Sequence, residues 1–109
     1  MGRMAEMCAI FIRGKHKPTY DQHRWDQGDT CVIVNMKTPL LTGKKLDQKL
    51  YRWHSGYFSG LHEMNLREML VRDPEKVIRL AITNMLPRNK LRQTLLDQKL
   101  VVHDGPFHT

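Results

Sequence analysis

The segment RGKHKPTYDQHRWDQGD, residues 13–29, holds four Lys or Arg side chains, two His, one Tyr and one Trp, with no helix or strand period. Two chemistries could use such a set. Lys15, Lys17 and Arg24 can neutralise phosphates, His16 can donate a hydrogen bond to one, and Tyr20 or Trp25 can stack on a base. Alternatively, His16, His23, Asp26, Asp29 and a more distant His54 could assemble an acid and base set of the nuclease kind, although no spacing enforces it. The plain alternative to both is a solvated charged loop. A membrane-surface helix is disfavoured, because it needs a broad apolar face beside the charges and residues 13–29 have none.

Other reactive residues point to less. Cys8 and Cys31 stand in apolar stretches without the close paired spacing of structural zinc, and read as buried free thiols of a reducing compartment. TGKK at 42–45 resembles the end of a phosphate loop only superficially, since position 38, where that loop needs glycine, is Thr. Met64, Met69 and Met85 read as core filler on helices. No cofactor and no metal are expected.

A chain of 109 residues with 40% hydrophobic content suffices for one core, so a single domain over 1–109 is the expectation. Eighteen Lys and Arg against eleven Asp and Glu give a net charge of +7, which favours a polyanionic partner. Ten of the basic residues precede position 61, against five acidic ones, so the anion-binding surface is expected mainly in the first half. No apolar run approaches the ~18 residues of a membrane span, and no leader pattern occurs in order, so a soluble chain without a membrane span is expected. MGRMAEMCAIFIRGK contains Glu6, lacks Ser, and reads as part of a fold, not as an organelle presequence.

The elements that must position the basic segment follow from local signals. Met4, Met7, Cys8 and Phe11 recur at helical intervals and Gly14 is a natural left-handed stop, which predicts a helix over 3–13. Thr30–Met36 is a β-branched apolar run, as expected of a strand buried on both faces of a parallel sheet. A turn at 42–45, a strand over 49–53 and a loop at HSGYFSG come next. Asn65, with Glu68 three residues on, caps a short helix ending near Arg72, and Asp73-Pro74 starts another. Val77, Ile78, Ala81, Ile82, Met85 and Leu86 form the apolar stripe of that helix, which Pro87 closes. Leu91, Leu95 and Leu96 suggest a third helix. KLVVH, residues 99–103, predicts a closing strand that Asp104-Gly105-Pro106 breaks.

Taken in order, the helix beginning Gly2-Arg3, RGKHK, the "GD" before a strand ending at Asn35, TGKK, KLYRWHSGYFSG and RDPEKVIRLAITNMLPRNKLR resemble the ribosomal protein L-thirteen family of the large subunit. The likeness runs from Gly2 to about His103. It implies an α/β fold, three layers α/β/α with a mainly parallel sheet, and binding to large-subunit rRNA without catalysis. Gly14, Lys15, His16 and Lys17 match the family's basic arm, and Thr42, Gly43 and Lys44 its turn. Tyr51, His54, Gly56 and Gly60 match its second loop, and Met85, Leu86 and Pro87 the end of its long helix. The chain departs in that second loop, where Ser59-Gly60 replaces a double glycine and Trp53 replaces a residue that is often His or Ser. One extra residue between Tyr20 and Gly28 prevents a one-to-one mapping of 22–25.

The RNA-binding set implied is Arg13, Lys15, His16, Lys17, Arg24, Lys44, Lys45, Arg52, His54, Gly56, Arg88, Lys90 and Arg92, with glycine loops letting backbone approach RNA. The partners implied are large-subunit rRNA and neighbouring large-subunit proteins. A free RNA-binding regulator and a small histidine-dependent nuclease are the competing readings. The phrasing of residues 72–94 looks closer to the mitochondrial branch, hence a mitochondrial ribosome, with a bacterial cytoplasm as the alternative. Family members begin with a strand ahead of the first helix, for which this chain has no room before Met1-Gly2-Arg3. The expectation is therefore that an extended segment, from upstream residues or a separate polypeptide, runs between Thr30–Met36 and Leu100–His103. Strand addition would satisfy backbone groups that cost ~1–3 kcal/mol each when buried unpaired.

Overall fold

A computed structural model describes residues 1–107. The first helix, α1, spans Gly2–Arg13 and stops at Gly14, whose φ of 78° lets its N–H turn back onto the carbonyls of Ile10 and Phe11. Ala5, Ala9 and Ile12 form its buried side. After the basic segment comes β1, Cys31–Ile33, and later the single turn α2, Lys45–Gln48. Next are the hairpin strands β2, Leu50–His54, and β3, Leu61–Asn65, then helices α3, Leu66–Arg72, and α4, Pro74–Met85. The chain continues through α5, Leu91–Lys99, into β4, Leu100–Val102.

The caps expected at the middle helices are present. Asn65 Oδ1 accepts from the Glu68 N–H at 2.9 Å, and Asp73 Oδ1 accepts from the Lys76 N–H at 3.3 Å, each satisfying a donor that the first helical turn leaves free.

The architecture is α/β, with two small sheets. β1 and β4 pair in parallel, Cys31 opposite Leu100 and Ile33 opposite Val102, while β2 and β3 form an antiparallel ladder from Leu50–Asn65 to His54–Leu61. The parallel part is thus limited to two strands. Direct pairing overturns the expectation of an inserted segment between 30–36 and 100–103: the two strands satisfy each other. Their pairing continues beyond the strands, with the His103 N–H donating to Ile33 O at 2.8 Å and the Asn35 N–H to Gly105 O at 2.9 Å. No slot is left for an intervening strand. β1 is also not covered on both faces, since Val32 remains 47% exposed. β3 has no counterpart among the sequence expectations, which place the loop directly before α3.

Two apolar clusters hold the elements. The larger joins Ile12, Ile33, Met36, Ile78, Ile82, Leu86, Leu95 and Val102, so α1, α4 and α5 close over the parallel pair. The smaller joins Leu66, Met69 and Val77, with Tyr51 and Met64 of the hairpin packed against it. Met85 does not follow the stripe inward; it is 47% exposed, because Ile78, Ile82 and Leu86 already fill the side facing the core. Among the described residues, no helix is long and apolar enough to cross a membrane.

Candidate nucleic-acid interface

Residues 13–29 are an organised arm, fixed at both ends to α1. The Asp29 N–H donates to Phe11 O at 2.9 Å, occupying a carbonyl at the open end of the helix. Gly28 lies so close to α1 that a Cβ there would sit 1.7 Å from Ile12 O, and only glycine fits. Three successive carbonyls of the arm face ammonium groups. Lys99 Nζ donates to Asp26 O and Gly28 O, both at 2.9 Å, and Lys17 Nζ donates to Gln27 O at 3.0 Å. Lys99 is 9% exposed, and its buried charge is compensated by these carbonyl dipoles.

The arm's side chains divide by what they already hold. Lys17 Nζ and His16 Nε2 grip the two carboxylate oxygens of Asp29 at 2.7 and 2.9 Å. The Lys17 hydrogen bond holds the Asp29 carboxyl below its usual range, with the lysine's charge and the bond from His16 adding to it. His16 also meets the Phe11 ring edge-on, centroids 4.8 Å apart. Arg13 Nη2 donates to Tyr20 Oη at 3.1 Å, and Arg24 lies 3.8 Å from Asp26. Lys15 is exposed and takes part in none of the ion pairs among the described residues. Trp25 keeps 39% of its surface exposed.

Around this arm the fold gathers part of the expected set. Arg13 and Lys15 line one depression with Leu86 and Pro87 at the end of α4, and Arg13, Arg24 and Trp25 line another with Pro87 and Asn89. Arg88 and Lys90, both exposed, flank Asn89 of that second depression. Arg92 turns inward: its Nη1 donates to Thr83 O at 3.5 Å, and its own N–H is capped by Asn89 Oδ1 at 3.1 Å.

Lys44 and Lys45 lie elsewhere, in the exposed turn into α2, with Lys45 beside Asn84 and Met85 on the outer side of α4. Arg52, His54 and Gly56 belong to the hairpin. Arg52 Nε is paired with Glu63 at 2.9 Å, and His54 Nδ1 accepts from the Gly56 N–H at 2.9 Å, which shapes the loop. At its tip, Tyr57 and Phe58 are 80% and 101% exposed. His16 with Asp29 and His54 thus stand on separate sheets' connections, each already engaged in a structural contact.

Cys31 Sγ donates to Cys8 O at 3.8 Å, and both cysteines are free thiols. Burial, with Cys8 beside it, pushes the Cys31 thiol up to about 11.

The sequence that builds this arm and frame has relatives among known proteins. The model of the family described as "Ribosomal protein L13" matches residues 1–109. The chain belongs to that family. A relative named "Large ribosomal subunit protein uL13" from Clostridioides difficile (strain 630) is 49% identical over 109 residues, covering 100% of this chain and 75% of its own length. One of the same name from Aquifex aeolicus (strain VF5) is 49% identical over 108 residues, covering 99% and 74%. Another from Thermotoga maritima is 46% identical over 108 residues, covering 99% and 71%. These relatives are bacterial and lend no support to the mitochondrial branch that residues 72–94 suggested.

Two residues that anchor the arm escape sequence reasoning in this role. Lys99 reads as the first residue of the closing strand, and Asp29 as part of a possible acid and base set; their anchoring partners lie far away in sequence or across a turn.

Proposed function

We propose that this chain is a non-catalytic structural constituent of a large ribosomal subunit of the bacterial type, binding large-subunit rRNA and touching neighbouring subunit proteins. The family match over the whole chain carries this reading, and the +7 charge and the anchored arm fit it. In this reading Lys15, Lys44, Lys45, Arg88 and Lys90, which take part in none of the ion pairs among the described residues, neutralise phosphates. Lys17, His16 and Arg13 act differently, holding the arm in the shape that presents Lys15, Arg24 and Trp25. Glycine and His54 at the hairpin bend let backbone approach the RNA.

Sedimentation tests the assignment: tagged chain should travel stoichiometrically with the large subunit through a sucrose gradient, and presence only in the ribosome-free fractions would refute it. The phosphate role has its own test. The double variant Lys15→Ala, Lys90→Ala should lower the slope of log affinity against log salt for an rRNA fragment by ~0.7–0.9 per lost contact. An unchanged slope would remove both residues from the interface.

A further inference from the structure

The hairpin and α4 enclose a groove of about 670 Å³ that lies outside the arm and shares only Arg52 with the basic set discussed so far. Its volume falls in the ~300–1,000 Å³ range of small-ligand sites. The floor is apolar and rigid, with Met69 and Val77 4% and 1% exposed. One wall is aromatic: Tyr51 and Trp53 project from β2 on the same side of the ladder, as alternation requires of residues two apart. Trp53 is already stacked on His62 across the strands, centroids 5.4 Å apart and planes 20° from parallel. It still exposes 46% of its surface and lines the groove, which leaves ring surface for contact with another flat ring.

The rim is cationic. Lys49, Arg52, Arg72 and Lys76 line the groove, and the one carboxylate there, Asp73, is engaged in capping the Lys76 N–H. Arg52 pairs with Glu63, whereas Lys49, Arg72 and Lys76 take part in none of the ion pairs among the described residues. An apolar slot with an aromatic wall, where Lys49 Nζ already lies 5.9 Å from the Tyr51 ring centroid and Arg72 and Lys76 are left without an ion pair among the described residues, suits a ligand with a planar ring and a negative charge a sugar's width away. A lipid would need an apolar mouth. A paired base cannot leave its stack without cost, while an unpaired one can.

We propose that this groove receives a single unpaired nucleotide of bound RNA, its base continuing the Trp53–His62 stack and its flanking phosphates meeting Arg72 and Lys76. This deepens the rRNA-binding reading and rests on it. The full chain is titrated into an RNA hairpin carrying one bulged 2-aminopurine and into the same hairpin fully paired, with a large-subunit rRNA fragment as a parallel measurement. The bulged hairpin should bind about tenfold tighter than the paired one, with quenching of the 2-aminopurine as it stacks. Trp53→Leu should erase that preference. Arg72→Gln, at an exposed helix end remote from the core, should weaken the bulged hairpin severalfold, which keeps the test valid if the Trp53 variant folds poorly. Equal affinity for both hairpins with unquenched fluorescence, while the rRNA fragment still binds, overturns the groove and leaves the ribosomal reading standing. Failure to bind any of the three RNAs overturns both. A Glu-rich peptide that displaces the bulged hairpin and itself depends on Trp53 would assign the groove to an acidic protein segment, also overturning the proposal.

Discussion

Replacing Lys99 with Met isolates the link between the core and the arm. The side chain is 9% exposed, and its ammonium makes two hydrogen bonds of 2.9 Å, to Asp26 O and Gly28 O. Met retains the apolar length of the stem, so packing changes little and the loss is mainly the two charge-assisted bonds. Bonds of that kind contribute about 1.5–3 kcal/mol each. Asp26 is exposed and Gly28 partly so, hence water can recover some of the loss at both carbonyls. The lower end applies, and the expected destabilisation is about 2–3 kcal/mol in urea unfolding. Because Lys17 to Gln27 O and Asp29 N–H to Phe11 O persist, the arm should loosen, not detach. Amide exchange at Asp29 should accelerate more than exchange at Ile82 in the core. A Lys99→Met protein within about 0.5 kcal/mol of the parent, the range of ordinary surface substitutions, would show that the buried ammonium does not hold the arm.

Further outcomes are expected from the same geometry. Gly28→Ala should cost about 3 kcal/mol or release the arm from α1, read by unfolding and by exchange at Asp29, because the added carbon would meet Ile12 O at 1.7 Å; a silent substitution would refute that close approach. Ile82→Ala, at a fully buried position, should cost ~2–5 kcal/mol, whereas Arg88→Ala should stay within ~0.5 kcal/mol, and equal losses would mean the faces of α4 and its exit are misassigned. The depressed Asp29 carboxyl contributes stability above its unfolded pKa of ~4 that is lost as pH falls through the lower folded value, so Asp29→Asn should flatten the acid limb of stability; superimposable acid limbs would count against the pairing. With the Cys31 thiol raised from 9.0 to about 11, its thiolate at pH 8 is ~100-fold scarcer than for an unperturbed thiol, and alkylation should be slower to match; rapid labelling would contradict its burial.

What could be read ahead of the structure was what is local. Gly14, Asn65, Asp73 and Pro74 act within four residues of themselves, and each marks the helix end that it announces. β3 was not legible for the complementary reason: LHEMN has no apolar alternation, and its ladder depends on a partner across the 55–60 loop. Thr30–Met36 looked like a doubly covered strand because apolar runs carry no record of which face lacks a neighbour, and Val32 lies on the open one. The same limit governs the interface. Lys15 and Lys17 are two positions apart and chemically identical, yet one is exposed without an ion pair and the other carries a bond to Asp29 and one to Gln27 O. Whether a lysine is available to phosphate is decided by the nearest carboxylate or carbonyl in space, and in this arm those acceptors arrive from residues 26–29 after the chain has turned back on α1. Counting cations along the chain therefore overstates the number available for phosphate contacts. It follows that the salt slope of RNA binding should respond to Lys15→Ala directly, while Lys17→Ala should act chiefly through the order of the arm, lowering affinity even where the phosphate it would have met is absent.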